Sequence, residues 1–230
     1  MLKTGRLSGP VEEEQVNIAI IGAGNVGGAL GKGWARAGHR ITYGVPDPAD
    51  AKVRPVAASA GGATVTGVAE AVRGADAMVL AVPFAAVPDA LAAAGDLAGR
   101  IVIDATNPLR MGGGGLELSL GFSDSAGERV AALASGAAVF KTLNQIGFEL
   151  MADSAGFGQR PVMFVAGDDS ERKPTVMALV DDLGFEAVDA GGLAVARLLE
   201  PFGMLWIHMA TNRKAGRDHA FVWLTRDGRS

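Results

Sequence analysis

The sequence contains no cysteine, and this absence excludes disulfides, zinc–thiolate sites and thiol nucleophiles. Only three histidines are present, His39, His208 and His219, and they are too scattered to suggest a metal site. The single tyrosine, Tyr43, has no lysine four residues later, so the Tyr-x-x-x-Lys proton relay of short-chain dehydrogenases is excluded. Thiol chemistry and the short-chain dehydrogenase mechanism are therefore ruled out.

Strong positive charge and long apolar runs are also missing. The formal net charge of −4 argues against a nucleic-acid partner. Proline, glycine or a charged residue interrupts each apolar run, so we expect no membrane span. Residues 1–15 are polar and lack the apolar centre of a signal peptide, so they are predicted to form a loose N-terminal arm of a cytoplasmic protein.

From residue 16 onward, short β-rich apolar runs alternate with helical stretches. This alternation predicts an α/β fold with a doubly wound, Rossmann-type parallel sheet. We place a dinucleotide-binding domain at 16–152 and a small C-terminal α/β unit at 153–230. The predicted strands are 16–21, 40–44, 63–65, 77–82, 101–104 and 138–141 in the first unit, with 162–166, 186–189 and an edge strand at 221–224 in the second.

A glycine motif follows the first predicted strand and opens the first predicted helix. Gly22 lets the chain turn sharply off the strand, Gly24 removes a side chain where a diphosphate must approach, and Gly27 lets the helix pack closely. The helix N-terminus offers free N–H groups to the phosphates. The spacing and its context therefore predict a dinucleotide site.

The end of the second strand bears on which dinucleotide is bound. NAD-binding proteins carry an acidic residue there, and this chain has Gly44 instead. The absence of a carboxylate permits a 2′-phosphate, for which Lys52 and Arg54 are the nearest downstream cations, although a solvated helix face is the favoured explanation for these two residues. NADP(H) is favoured over NAD(H).

Several further segments, taken in order, resemble the family of NADPH-dependent deazaflavin reductases, whose members include the coenzyme F420-dependent NADP oxidoreductases. The cytoplasmic domain of the STEAP metalloreductases is similar. The segments that carry the resemblance are Gly38-His39, Ala81-Val82-Pro83-Phe84, Asp104 to Leu109, Lys141-Thr142-Leu143-Asn144, Gly167-Asp168-Asp169, Asp189 to Leu193 and Ala196 to Pro201.

This resemblance implies hydride transfer between NADP(H) and coenzyme F420 or a flavin as co-substrate. It implies that the diphosphate lies on Gly22, Gly24, Asn25, Val26 and Gly27. It also places Ala81, Val82 and Pro83 along the cofactor and Thr142 near the nicotinamide amide. The Ser-Arg pair that holds the 2′-phosphate in the family falls on Val45-Pro46, which is the main departure from the pattern.

No acid–base set accompanies the predicted cofactor site, so we predict no catalytic residue beyond positioning groups. Hydride transfer between two stacked rings mainly requires that the protein hold the rings in contact and exclude water from between them. The second ring is expected at the carboxyl ends of the central strands. The candidates for its pocket are Phe84, Asn107, Leu109, Met111 and Asn144.

Core packing is an equally good explanation for Phe84, and helix capping for Asn144. For Asn107, which follows a strand end, the pocket role is favoured over turn formation. We expect Lys141 to form a surface salt bridge and Arg197 to pair with Glu200. The glycine run 112–115 is read as a flexible loop, with a lid hinge as the alternative. The apolar stretch at 192–211 is predicted to form core or a homodimer interface.

Two other functions stay open. A non-catalytic redox sensor would bind NAD(P)H tightly without turnover. A small-acid dehydrogenase of the β-hydroxyacid or pyrroline-carboxylate type would need a longer helical C-terminal half than the chain provides. For the leading function the predicted partner is a small-molecule redox substrate, with no nucleic acid, membrane or metal. The sensor would instead report to a partner.

Overall fold

The computed structural model describes residues 15–213 and 215–226. The predicted N-terminal arm lies outside this range apart from Gln15. The strands are β1 (Asn17–Ile21), β2 (Arg40–Gly44), β3 (Thr64–Thr66), β4 (Ala77–Leu80), β5 (Ile101–Asp104), β6 (Leu109–Gly112), β7 (Gly115–Leu118), β8 (Ala138–Lys141), β9 (Val162–Gly167) and β10 (Glu186–Gly191). The helices are α1 (Asn25–Arg36), α2 (Val53–Ser59), α3 (Val68–Arg73), α4 (Val87–Ala94), α5 (Ala126–Leu133), α6 (Phe148–Met151), α7 (Lys173–Asp182) and α8 (Ala196–Thr211).

Eight of these strands form one sheet in the order β10-β9-β8-β5-β4-β1-β2-β3. Six neighbouring strands of this sheet are parallel, in the order β8-β5-β4-β1-β2-β3. This is the order of a doubly wound dinucleotide-binding sheet. The predicted fold class is therefore confirmed. The carboxyl edge of this sheet, where β1, β4, β5 and β8 end, is the place at which such folds bind ligands.

The C-terminal strands continue the same sheet. β9 runs antiparallel to β8, with Phe140 opposite Gly167 and Lys141 opposite Ala166, and β10 runs parallel to β9. The two strands of the predicted unit at 153–230 thus share the sheet of the first unit. The division of the chain into two units stays a prediction. The edge strand predicted at 221–224 is wrong: the segment is not a strand, although the Phe221 carbonyl accepts a hydrogen bond from the Val162 amide.

The core lies on both faces of the central strands. Every residue of β4 and β5 is buried, as expected for strands covered by helices on two sides. Ile20 and Trp34 pack in the cluster under α1 and α7, whereas Ile21 and Leu80 pack in the cluster under α3 and α4. The first cluster packs α1 against the sheet.

Helix α1 sits unusually close to β2 because a glycine faces the sheet. A Cβ atom at Gly31 would lie 2.0 Å from the Tyr43 hydroxyl oxygen. Tyr43 is fully buried and donates a hydrogen bond to the Gly27 carbonyl at 3.4 Å. Burial raises the pKa of Tyr43 to about 12. The only tyrosine is therefore part of the core.

The glycine run at 112–115 turns a hairpin. Gly112 and Gly115 are paired residues of β6 and β7, so the two residues between them form the turn. The flexible-loop interpretation is therefore wrong. It overlooked the alternation of Leu-Arg-Met and Leu-Glu-Leu on the two sides of the turn.

A buried ion network fastens α8 to the sheet. The Lys141 ammonium is fully buried and lies 2.9 Å from an Asp104 carboxylate oxygen and 3.0 Å from a Glu200 carboxylate oxygen. Glu200 also accepts hydrogen bonds from the Ala126 and Gly127 amides at the start of α5, at 3.0 and 3.1 Å. The network therefore joins β5, β8, α5 and α8.

This network corrects two expectations. Lys141 forms no surface salt bridge, since its side chain is 0% exposed. Arg197 does not pair with Glu200 but with Glu128, through two hydrogen bonds of 2.8 and 2.6 Å. The Arg197 guanidinium holds the pKa of the Glu128 carboxyl below its usual value.

The segment Leu193–Thr211 is long and apolar enough, by length and composition, to cross a membrane. The expectation that no apolar run of this chain is long enough to span a membrane is therefore wrong. In this structure, however, Glu200 and Trp206 on the same segment are buried, at 1% and 2% exposure, against the rest of the chain. Leu198, Leu205 and Met209 are exposed on α8, and the homodimer through this region stays a prediction.

We expect Lys141→Met to destabilise the fold by about 3–5 kcal/mol, because it leaves two buried carboxylates without their cation. Urea unfolding measures the change. The double variant Lys141→Met with Glu200→Gln should recover part of the loss, since one of the two charges is removed with it. A single variant as stable as the wild type would contradict this account of the network.

Candidate functional site

The turn between β1 and α1 is built from glycines that packing requires. Gly22 has a φ of +105°, and a Cβ atom there would lie 2.6 Å from the Ala81 carbonyl oxygen. A Cβ at Gly27 would lie 2.0 Å from the Gly22 carbonyl oxygen. Both glycines are thus explained by the protein's own backbone, without any ligand.

Gly24 differs from these two glycines. Its φ of −81° suits any residue, and a Cβ atom there would meet nothing within 4 Å. Gly24 is the N-cap residue of α1, and no side chain caps that helix. The first-turn amides have no intrahelical acceptor and lie at the positive end of the helix, next to the open space over Gly24.

This open cradle fits a diphosphate. Main-chain N–H groups at a helix N-terminus bind phosphate oxygens, and an absent side chain lets those oxygens approach. Asn25, Val26 and Gly27 occupy the first turn and would supply the donors. The predicted cofactor residues of this motif are thus brought together, and their contact with a cofactor stays a prediction.

A cleft of about 460 Å³ extends from this cradle between α1, α2 and α6. A second cavity, of about 530 Å³, lies at the opposite, amino edge of the strands. The first cleft adjoins the helix N-terminus, so it is the one relevant to a dinucleotide. Its lining includes Ala23, Gly24, Asn25, Lys32, Phe148 and Glu149.

The end of β4 closes the other side of the turn. The Ala81 amide donates to the Ile21 carbonyl at 2.9 Å, and the Ala81 carbonyl lies over Gly22. Val82 and Phe84 are partly buried against the core cluster under α3 and α4. The structure thus brings Ala81 and Val82 next to the glycine motif, while Pro83 is exposed and Phe84 contributes to core packing.

The end of β2 has no room for an acidic residue. A Cβ atom at Gly44 would lie 2.7 Å from the Ile21 side chain. Val45 is buried and its amide donates to the Thr66 carbonyl at 3.0 Å, whereas Pro46 is exposed. Neither residue of the Val45-Pro46 pair can offer a charge to a ribose or a 2′-phosphate.

The exposed residues beyond β2 carry both signs of charge. Asp47 and Asp50 each accept a main-chain hydrogen bond at 2.9 Å, from Ala49 and Lys52 respectively. Lys52 and Arg54 are exposed at the start of α2. They are therefore available to an anion, which keeps the predicted 2′-phosphate contact open.

The two asparagines proposed for the second-ring pocket bind each other. The Asn107 amide nitrogen donates to the Asn144 carbonyl at 2.8 Å, and the Asn144 amide nitrogen donates to the Asn107 side-chain oxygen at 3.0 Å. Helix α8 covers this pair at Gly203, where a Cβ atom would lie 2.5 Å from the Asn144 carbonyl oxygen. Their amides thus already have partners within the fold.

The other pocket candidates lie on the hairpin. Leu109 is half-buried, whereas Met111 is 75% exposed. The structure therefore brings Asn107 and Asn144 together and does not enclose Met111 with them.

The loop after β8 is held in a strained conformation. Leu143 is fully buried with a φ of +59°, a left-handed backbone that branched residues rarely adopt. Gln145 fixes this loop to β9, since its side-chain amide donates to the Phe164 carbonyl at 3.0 Å and accepts from the Phe164 amide at 3.1 Å. Sequence reasoning missed Gln145, because a glutamine in a loop carries no signal of a distant strand partner.

Thr142 lies between this loop and β8. It is fully buried, and its hydroxyl has no hydrogen-bond partner. The Thr106 hydroxyl, at the end of β5, is also buried without a partner. Sequence analysis singled out Thr142 through the family resemblance and missed Thr106.

Among residues 15–213 and 215–226, no group of three or more His, Cys, Asp or Glu side chains could hold a metal ion. The titratable residue nearest the ends of β5 and β8, Lys141, donates to Asp104, to Glu200 and to the Thr106 carbonyl. Its hydrogen-bond and ion-pair partners named here therefore all lie within the fold.

Comparison with known proteins is consistent with this geometry. A family model described as NADP oxidoreductase, coenzyme F420-dependent, matches residues 17–108, which run from β1 past β5. A protein from Arthrobacter sp. FB24 proposed to be an F420-dependent NADP reductase has a similar structure. Its TM-score is 0.82 at 29% identity, covering 91% of this chain and 100% of that chain.

Metalloreductase STEAP3 of Rattus norvegicus is 28% identical over 190 residues, which are 83% of this chain and 37% of that protein. The chain thus spans little more than a third of this curated relative. A reductive aminase from Aspergillus terreus in complex with NADPH and ethyl-5-oxohexanoate has a TM-score of 0.65 at 20% identity, covering 88% of this chain and 64% of that chain. At that identity the likeness concerns the fold alone.

We expect Gly24→Val to weaken NADPH binding by at least about tenfold, because the new side chain occupies the space a diphosphate needs. The free energy of unfolding should fall by only about 1 kcal/mol, the cost of a poor N-cap residue. Calorimetric titration and urea unfolding measure the two effects.

Two matched variants sharpen this test. Gly113→Val, in the hairpin turn with nothing within 4 Å of its Cβ, should change neither quantity. Gly27→Val should lower stability, because its Cβ would meet the Gly22 carbonyl. Unchanged NADPH affinity in Gly24→Val would show that the cradle is not the binding site.

Proposed function

Because residues 17–108 match the family model of coenzyme F420-dependent NADP oxidoreductases, we propose that this chain transfers hydride between NADP(H) and a deazaflavin or flavin-like ring. The single observation that carries the proposal is the open cradle over Gly24 at the start of α1. It would hold the diphosphate, and the carboxyl ends of β4, β5 and β8 would then lie along the nicotinamide half.

In this reaction the protein only has to position the two rings. The nicotinamide and the second ring supply the hydride donor and acceptor when bound, so the chain needs no general base at the reacting carbon. Holding two rings at contact distance and excluding water lowers the barrier. The pairing of Asp104 with Lys141 at the ends of β5 and β8 is consistent with such a role.

A small-acid dehydrogenase is a weaker candidate for the same reason. Oxidation of a hydroxyl group requires a base within hydrogen-bond reach of its proton. Lys141 is the nearest candidate at the ends of β5 and β8, and it is 0% exposed with two carboxylates around it.

A redox sensor is favoured by one specific observation. The Asn107–Asn144 pair binds internally, and Met111 lies exposed on the hairpin, so the residues expected to receive a second ring do not form a ready pocket. A protein that binds NADP(H) and passes its redox state to a partner would need no such pocket.

We expect the chain to oxidise NADPH when coenzyme F420 is supplied, and we expect the Gly24→Val variant to lose this activity because it loses the cofactor. The loss of near-ultraviolet nicotinamide absorbance measures turnover, with F420, FMN and FAD tested in turn. Tight NADPH binding without turnover of any ring would favour the sensor instead. Failure to bind either NADPH or NADH would contradict both functions.

For the choice of dinucleotide, we propose that Lys52 and Arg54 meet the 2′-phosphate, since Val45 and Pro46 cannot. Replacing both with glutamine should weaken NADPH binding by about tenfold, because charge-assisted hydrogen bonds to phosphate are lost. NADH lacks this phosphate, so its affinity should stay unchanged. Calorimetric titration with both nucleotides measures the difference.

Arg73→Gln, at the exposed end of α3, is the matched control for a change in surface charge. If NADPH and NADH affinities fall together in the double variant, or if neither changes, then these two cations do not select NADP.

A further inference from the structure

Three buried side-chain atoms within the described part of the chain have no hydrogen-bond partner: the Thr106 and Thr142 hydroxyls and the His219 Nε2. A buried hydroxyl without a partner costs about 1–3 kcal/mol relative to a satisfied one. The first two lie just past the ends of β5 and β8, which are neighbouring strands of the sheet. Two such groups at the ligand-binding edge suggest that a partner arrives from outside the chain.

The main chain of Thr106 is held from two sides. Its amide donates to an Asp104 carboxylate oxygen at 2.9 Å, and its carbonyl accepts from the Lys141 ammonium at 2.7 Å. Asp104 and Lys141 are themselves 0% exposed and paired with each other. The buried ion network therefore fixes the position of Thr106 and satisfies its main chain, but leaves its hydroxyl free.

Neighbouring polar groups are less suitable for an incoming ligand. The Asn107 and Asn144 side chains are paired with each other, and Asn144 also donates to the Leu199 carbonyl at 3.0 Å. Thr142 is 0% exposed, and it precedes the strained Leu143. Both hydroxyl oxygens are buried, but Thr106 as a residue keeps 4% exposure and follows a fixed strand end, so it is the less enclosed of the two threonines.

On the basis of the proposed function, we propose that Thr106 is a specificity residue whose hydroxyl hydrogen-bonds the nicotinamide carboxamide of the cofactor, with Asp104 and Lys141 as its positioning residues. A hydroxyl both donates and accepts, and a primary carboxamide offers both an acceptor oxygen and donor hydrogens. The contact would be enclosed by protein, where a hydrogen bond is stronger than in water. It would orient the nicotinamide ring without taking part in proton transfer.

The test uses Thr106→Val, which removes the hydroxyl and keeps the shape of the side chain. Two nucleotides serve as probes: NADPH, and 2′-phospho-ADP-ribose, which lacks the nicotinamide. We expect NADPH affinity to fall by about five- to tenfold, the value of one net hydrogen bond, while affinity for the fragment stays unchanged. Thermal stability should stay unchanged or rise, because no internal hydrogen bond is lost and an unpaired hydroxyl is removed.

Thr106→Ser keeps the hydroxyl and should restore most of the NADPH affinity. Thr106→Ala also removes the hydroxyl but has no β-branch. It should repeat the valine result, which would show that the loss of affinity comes from the missing hydroxyl and not from a disturbed loop. A residue that only supports the fold would lower Tm and weaken both probes equally.

Such an equal loss, or an unchanged NADPH affinity in Thr106→Val, would overturn the assignment while leaving the proposed function in place. If the wild-type chain binds the fragment and NADPH with the same affinity, no carboxamide contact exists and the assignment also fails. If the wild-type chain binds neither probe, the proposed function fails as well.

Discussion

The account depends on one steric constraint: a glycine at the start of α1 that faces open space. Gly22 and Gly27 are glycines because the chain's own carbonyls fill the space a side chain would need. Gly24 has no such reason within the fold, and its backbone angles suit any residue. A ligand that approaches the helix N-terminus supplies the missing reason, and the free amides and helix dipole there favour a phosphate.

The carboxyl edge next to this cradle is held rigid by buried charges. Lys141 joins Asp104 at the end of β5 to Glu200 on α8, and Glu200 in turn receives the first amides of α5. The C-terminal region is thus fastened to the sheet at the place where a nicotinamide would lie. Because breaking one partner of such a network leaves uncompensated buried charge, this edge resists movement, as a site that works by positioning requires.

Much of the fold could be predicted from local sequence. The bounds of β2, β5 and β8 are those predicted, because each strand is a short apolar run ended by glycine or charge. The antiparallel entry of β9 could not be predicted, since it rests on only two residue pairs and no short hairpin turn joins β8 to β9. The β6–β7 hairpin is hard to predict because four consecutive glycines taken alone indicate a flexible loop. Only the alternating runs on either side of them indicate a turn.

The site was predictable where its signal is local and was missed where it is not. The glycine motif requires only spacing and a preceding strand. The burial of Lys141, the Arg197–Glu128 pair and the hydrogen bonds of Gln145 with Phe164 depend on contacts between distant segments, which composition and periodicity do not encode. Thr106 could not be found from sequence, because an orphan hydroxyl is defined only by the neighbours that fail to contact it.

The most direct measurement is a crystal structure of the chain with NADPH. The account predicts diphosphate oxygens about 3 Å from the main-chain nitrogens of the first turn of α1, above Gly24. A diphosphate bound elsewhere on the molecule, or a cradle left empty at saturating NADPH, would contradict it.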